Sequence, residues 1–229
     1  MKQKIFISGG SQGIGLAIAR KFYQENFDVI ICARGKEGLE RAKAEMPLLH
    51  TISCDISDKT AVKALAEQLN QEFGALDILI NNGGTYQPGQ LHAEEDEVYE
   101  TMMRTNMDSA YYLTKGVIGA MIARKQGMVV NMCSVASLTA YANGGAYSVS
   151  KFALLGFSKN LREEMKEHGI GVVSIMPGAV KTPSWDGVDV PAERLMPPED
   201  IAEIIWNACT VSRRTVVEDI VVRPFLGDL

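Results

Sequence analysis

"KIFISGGSQGIGLAIARKFYQE", residues 4–25, decides the fold. Five residues of strand character, KIFIS, run straight into a glycine-rich turn, SGGSQGIG (Ser8 to Gly15), and then into a helical pattern. Glycines let the main chain turn sharply and approach a ligand with no Cβ in the way. The first N–H groups of the helix, with the positive end of its dipole, are then free to face a pyrophosphate. A tight turn with no ligand is the alternative. The position of the turn, after a strand at residue 9 of a chain that keeps alternating strand and helix, favours nucleotide binding. The spacing is Gly9-x3-Gly13-x-Gly15, which departs from the common G-x-G-x-x-G dinucleotide pattern.

The alternation continues outward from this unit. Strand runs are expected at 28–33, 49–54, 76–81, 128–133, 171–176 and 216–222, with helical patterns at about 14–25, 36–46, 58–73, 97–125, 147–168 and 198–211. Several strands are nearly continuous apolar runs, as in a parallel sheet covered on both faces. The expected fold is α/β: a doubly wound sheet of about seven parallel strands with helices on both faces, in one domain spanning 1–229. Residues 182–197, TPSWDGVDVPAERLMP, show no clear pattern and read as a mobile substrate loop.

Composition narrows the function. The 229 residues are 46% hydrophobic, enough for a large core, and the net charge of −5 argues against nucleic-acid binding. Cysteines 32, 54, 133 and 209 form no CxxC pair and read as buried reduced thiols, which fits a cytoplasmic protein. The N-terminal apolar stretch is too short for a signal peptide, and no segment approaches 18 apolar residues, so no membrane association is expected. Histidines 50, 92 and 168 are scattered, and no metal site is expected.

The end of the second strand is where an acid would hold a ribose 2′-hydroxyl. Here it reads IICARGKE, with Ala33 at that position and Arg34 next. A guanidinium suits a 2′-phosphate, so NADP(H) is favoured over NAD(H); a solvated surface charge is the alternative for Arg34. Asp55, just past the third strand, can accept from an adenine amino group or cap the next helix, and Asp58 is the better cap. NNGG (81–84) ends the fourth strand at the ligand-facing edge.

Chemistry is carried by AYSVSK, residues 146–151, with Ser134 and Asn106 upstream. Tyr147 and Lys151 share a helix face at i,i+4 spacing. A free phenol has a pKa of roughly 10. A lysine ammonium one turn away is expected to lower it towards working pH. The phenol could then give a proton to a carbonyl oxygen, with a serine hydroxyl holding the same oxygen. Alone, the pair reads as helix surface. The order of glycine turn, Arg34, NNGG, Asn106, Ser134, Tyr147 and Lys151 reverses that.

From Lys4 to about Pro183 the chain resembles the short-chain dehydrogenase/reductase family in its compact single-domain form, with a Rossmann-type sheet. SGGSQGIG is similar to the family's TGxxxGxG turn, Ser8 standing for Thr. NNGG is similar to NNAG. Asn106, Ser134, Tyr147 and Lys151 match the Asn-Ser-Tyr-Lys tetrad, and PGAVKTP (177–183) matches PGxVxT. The resemblance implies that Tyr147 is the proton donor or acceptor and that Lys151 bonds the nicotinamide ribose. It implies that Ser134 orients the substrate carbonyl and that Asn106 holds a water linking Lys151 to solvent. It also implies cofactor contacts from Ser8, Gly9, Ser11, Gln12, Gly13, Ile14, Gly15, Asp55, Ile56, Asn82, Gly83, Tyr147, Lys151, Pro177, Gly178, Val180 and Thr182. Gln12 replaces the basic residue that many NADP-dependent members carry inside the turn.

The implied activity is NADP(H)-dependent hydride transfer to or from a small carbonyl or alcohol substrate. A non-catalytic NADP sensor, and an epimerase or dehydratase, are the alternatives. Thr85, Tyr86, Val135, Tyr141, Trp185 and Met196 are expected around the pocket and favour an uncharged or hydrophobic carbonyl compound. Apolar residues such as Met102, Met103, Met107 and Tyr111 on more than one face of the long helices point to a homo-tetramer or homo-dimer.

Overall fold

The computed structural model describes residues 2–229. Seven strands form one sheet: β1 (Lys4–Ser8), β2 (Asp28–Ala33), β3 (His50–Ser53), β4 (Ile78–Asn81), β5 (Gly127–Met132), β6 (Ile170–Pro177) and β7 (Asp219–Val222). Their order is β3-β2-β1-β4-β5-β6-β7, and every pairing is parallel. The order reverses between β1 and β4, where such a sheet opens a crevice for a ligand.

Apolar strands are required because both faces are covered. Ile5, Ile7, Val29, Ile31, Ile78, Ile80, Val130 and Val173 face one layer, built from α1 (Gly13–Gln24), α2 (Lys36–Glu45) and α7 (Pro198–Thr210). The alternate residues Phe6, Ile30, Cys32, Leu79, Val129 and Val172 face the other, from α3 (Lys59–Glu72), α5 (Ser109–Arg124) and α6 (Gly145–Met165). One row on this second face is polar. Asn81 Nδ2 donates to Thr114 Oγ1 (2.9 Å) and Asn131 Oδ1 (2.8 Å), Asn131 Nδ2 donates to Ser158 Oγ (3.0 Å), and Ser158 Oγ lies 2.9 Å from Ser174 Oγ. All five side chains are buried.

The structure corrects two sequence expectations. The helix expected at 97–125 is three pieces: α4 (Asp96–Met103), a π-turn over Arg104–Asp108, and α5. The last strand is shorter than 216–222, at Asp219–Val222. The loop at 182–197 carries short 3₁₀ turns at Pro183–Trp185 and Ala192–Arg194 and is pinned at its base. Met196 N donates to Ala179 O (3.0 Å) and Lys181 N to Met196 O (2.9 Å).

Candidate active site

The β1–α1 turn is shaped by what its glycines lack. Gly9 adopts φ +66°, a left-handed conformation, and a Cβ on Gly15 would lie 2.3 Å from the Gly9 carbonyl and 2.5 Å from Asn82 Nδ2. The α1 N-terminus has no side-chain cap and no acid in its first turn. In α3, by contrast, Asp58 Oδ1 accepts from Thr60 N and Ala61 N. The first N–H groups of α1 thus stay available to an anion.

A cleft of about 800 Å³ opens over this turn and the β1–β4 reversal. Of the residues expected to touch a cofactor, Gly9, Ser11, Gln12, Gly13, Ile14, Gly15, Arg34, Asp55, Ile56, Asn82, Gly83 and Thr182 line it. Ser8, Tyr147, Lys151, Pro177, Gly178 and Val180 do not. Ser8 is buried, and its Oγ accepts from Asn82 N (3.1 Å) and Gly83 N (2.9 Å). Its role is to tie the ends of β1 and β4. Val180 is buried in a bridge with Met196. Gly178 N donates to Val222 O at 2.8 Å. Sequence reading missed Lys36 and Arg41, which line the cleft beside Arg34. The signal lay in the basic residues of α2, Lys36 at its first position and Arg41 in its middle.

Asp55 is less free than expected. Its Oδ1 accepts from Ser57 N (2.9 Å) and Ser57 Oγ (2.8 Å). Burial pushes its pKa up, but the Ser57 bonds and the Arg34 guanidinium together outweigh that and hold it below the usual carboxylate value. The carboxylate stays ionised, an acceptor at the cleft wall.

The tetrad lies deeper. Ser134 follows β5, and its Oγ accepts from Ala136 N (3.1 Å) at the start of a 3₁₀ turn, Val135–Ser137. Lys151 is buried and its Nζ donates to Met132 O at 2.7 Å, with Tyr147 one turn back on α6. Asn106 sits in the π-turn. Its Oδ1 accepts from Thr85 N (2.7 Å), while its Nδ2 donates to Thr85 O (3.0 Å) and Ser150 Oγ (2.9 Å). Ser150 Oγ in turn donates to Tyr147 O at 2.7 Å. The insertion that widens the helix turns Asn106 inward, which explains an Asn at a position of poor helix propensity. Ser150, to which the sequence assigned no role, links Asn106 to the main chain of Tyr147.

The electrostatics differ from the expectation that Lys151 lowers the Tyr147 pKa. Burial raises the Tyr147 phenol, and Ser134, close enough to favour the ionised form, offsets this only in part. Burial also pulls Lys151 down to about 8. The Lys151 ammonium is 5.8 Å from the Tyr147 ring centroid and directed at Met132 O, so desolvation of each group dominates over their attraction.

The cleft fits a dinucleotide. Its glycine-shaped floor and uncapped helix end suit a pyrophosphate, Arg34, Lys36 and Arg41 suit a further phosphate, and Thr182 stands against the turn at Gly13. Among the described residues no three His, Cys, Asp or Glu side chains converge as a metal site, and no helix is long and apolar enough to cross a membrane.

Comparison with known proteins agrees with this geometry. Residues 3–190 match the family model described as short chain dehydrogenase. A sepiapterin reductase of Chlorobaculum tepidum is 33% identical over 100% of this chain and 99% of its own length. Among solved structures, serine dehydrogenase complexed with NADP+ superposes with a TM-score of 0.91 at 28% identity, covering 99% of this chain and 97% of that one. Actinorhodin polyketide ketoreductase with NADPH gives 0.90 at 27% identity, covering 100% and 98%.

Proposed function

The chain belongs to the short-chain dehydrogenase family, and from that premise we propose that it is an NADP(H)-dependent oxidoreductase interconverting a carbonyl compound and its alcohol. The carrying observation is the chain of contacts from Thr85 through Asn106 and Ser150 to Tyr147, beside Ser134 and Lys151 and behind a glycine-floored cleft. A cofactor sensor would have no use for that chain. Preference for NADP(H) is supported by the Arg34, Lys36 and Arg41 cluster, and by the NADP complexes of the related serine dehydrogenase and polyketide ketoreductase.

In this reading Gly9, Gly13, Gly15, Asn82 and Thr182 would hold a dinucleotide whose nicotinamide would supply a hydride, one proton with two electrons, to a carbonyl carbon. Ser134 Oγ donates to the carbonyl oxygen and holds it beside the phenol. Tyr147, kept protonated by burial, gives its proton to that oxygen as negative charge develops there, completing the alcohol. The resulting phenolate is reprotonated from solvent, and Lys151, one turn along α6, would bond the nicotinamide ribose. Alcohol oxidation runs the same steps in reverse. Pro177, Gly178, Val180 and Ser8 support the site from behind. The protein works in the cytoplasm, a location supported by its buried free thiols, and assembles as a homo-dimer or homo-tetramer, supported by exposed aromatics along α4 to α6.

The test is turnover of a carbonyl panel followed by NADPH absorbance, with cofactor affinity measured by titration. NADPH should bind more tightly than NADH, and Arg34→Asp should shift that ratio towards NADH. Tyr147→Phe should bind NADPH normally and lose turnover by about a hundredfold or more. Unimpaired turnover in Tyr147→Phe would sink the mechanism.

A further inference from the structure

The loop over the cleft, residues 182–197, is held at a second place besides its base. Arg194, at the end of its second 3₁₀ turn, reaches out of the loop. Its Nη2 donates to Asp228 O (3.2 Å) and Gly227 O (3.4 Å), and its Nε is buried without a partner. The guanidinium is thus wedged between the loop and the segment that follows β7, instead of lying in water.

That segment, residues 223–228, has its own internal order. Gly227 takes φ +84°, and its N–H donates to Pro224 O (2.8 Å), closing a turn. The Asp228 carboxylate pairs with Arg223. The same carboxylate lies against the other end of the loop. A Cβ on Gly178 would be 2.8 Å from Asp228 Oδ1 and 3.1 Å from Pro224 Cδ. Residues 223–228 therefore touch the loop at both feet: at Gly178, where the chain leaves β6, and at Arg194, where it returns towards α7.

The loop bears on the cleft through its first arm. Thr182, Pro183 and Ser184 line the cleft, and a Cβ on Gly13 would lie 3.1 Å from Thr182 Cγ2. Contacts at both feet fix how closely that arm stands to the glycine turn. Without them the arm can swing away from whatever the cleft holds.

Resting on the dinucleotide reading of this cleft, we infer that residues 223–228 brace the loop, and that Arg194 and Asp228 are positioning residues that set how long the cofactor stays bound. Neither touches the tetrad, so the brace acts on cofactor residence and not on proton transfer.

The experiment compares the wild type with Arg194→Met, Arg194→Lys and Asp228→Asn. NADPH release is followed by stopped-flow displacement, and the loop itself by chymotryptic cleavage after Trp185 without cofactor. KM for NADPH is set against kcat on a carbonyl the wild type turns over. Arg194→Met keeps the side chain's bulk and removes its donors. It should speed both NADPH release and cleavage by about three- to tenfold, the range of one or two hydrogen bonds, and raise KM for NADPH without lowering kcat. Arg194→Lys keeps a charged donor and should recover most of the difference. Asp228→Asn, with the Arg223 pairing weakened, should fall between. Wild-type release and cleavage in both Arg194→Met and Asp228→Asn, or a lower kcat with release unchanged, would overturn the brace alone. A wild type that does not bind NADPH would overturn the cofactor reading, and the brace with it.

Discussion

Lys151 is where folding and chemistry pull in opposite directions. Its ordinary pKa of 10.5 falls to about 8 because burial disfavours the ammonium. Since the folded value lies below the unfolded one, the unfolded chain binds more protons between about pH 8 and 10.5. Stability therefore rises with pH across that window, and the full penalty is present below it. Lys151→Met should accordingly stabilise the fold at pH 7, by about 1–3 kcal/mol, and remove turnover. Thermal melts at pH 7 and pH 10.5 check this: the advantage of the variant should shrink at the higher pH. A variant less stable than wild type at pH 7 would contradict it. The identity of Lys151 was legible in the sequence because Tyr-x-x-x-Lys fixes a helix face. Its depressed pKa was not, because that depends on how much of the fold closes around the ammonium. Asn106 follows the same pattern. Its membership of the set was readable, but its clamp on Thr85, 21 residues away, needed the tertiary fold.

At the scale of elements, α6 depends on a residue outside it. Glu94, in the segment before α4, accepts from Ala146 N through Oε1 (3.0 Å) and Oε2 (3.3 Å), one residue before Tyr147. It does so where Gly89 and Gly145 leave room: a Cβ on Gly145 would lie 2.5 Å from Glu94 Oε2. A carboxylate is well placed at the positive end of a helix. Glu94→Ala should cost about 1–2 kcal/mol, several degrees of Tm for a chain of this size, and lower kcat with little change in NADPH affinity. Glu94→Gln should recover most of kcat. A Glu94→Ala enzyme with normal kcat would show that the carboxylate does not position Tyr147. Strand and helix existence was legible from periodicity, and Asp58 was correctly read as the α3 cap. The π-turn at Arg104–Asp108 was not, since the widening that turns Asn106 towards Thr85 leaves no local pattern. The Glu94 cap joins residues 52 apart and leaves no local pattern.

For the whole molecule, the doubly wound order follows from alternation and apolar strands, and seven parallel strands are found. What alternation does not specify is the outside of α4 to α6. There Tyr99, Tyr111, Val149 and Phe152 are 37–47% exposed. Light scattering should give a mass of two or four chains, and Tyr111→Glu with Phe152→Glu should reduce it to one. A monomeric wild type would refute the assembly proposed above. One internal feature bears on how the sheet is assembled at all. In the row Asn81–Asn131–Ser158–Ser174, the bonds made by Asn81 Nδ2, by both ends of the Asn131 amide and by the two hydroxyls form only when β4, β5 and β6 stand at one alignment, while Asn81 Oδ1 is buried without a partner. Alkyl side chains on that face would tolerate a slipped neighbour. Amides and hydroxyls would be stranded in a dry interior, at about 1–3 kcal/mol apiece. The row therefore works as a key cut into the sheet: it rejects misaligned chains during folding, and so sets the height at which Ser134, three residues beyond Asn131, comes to rest beside Tyr147.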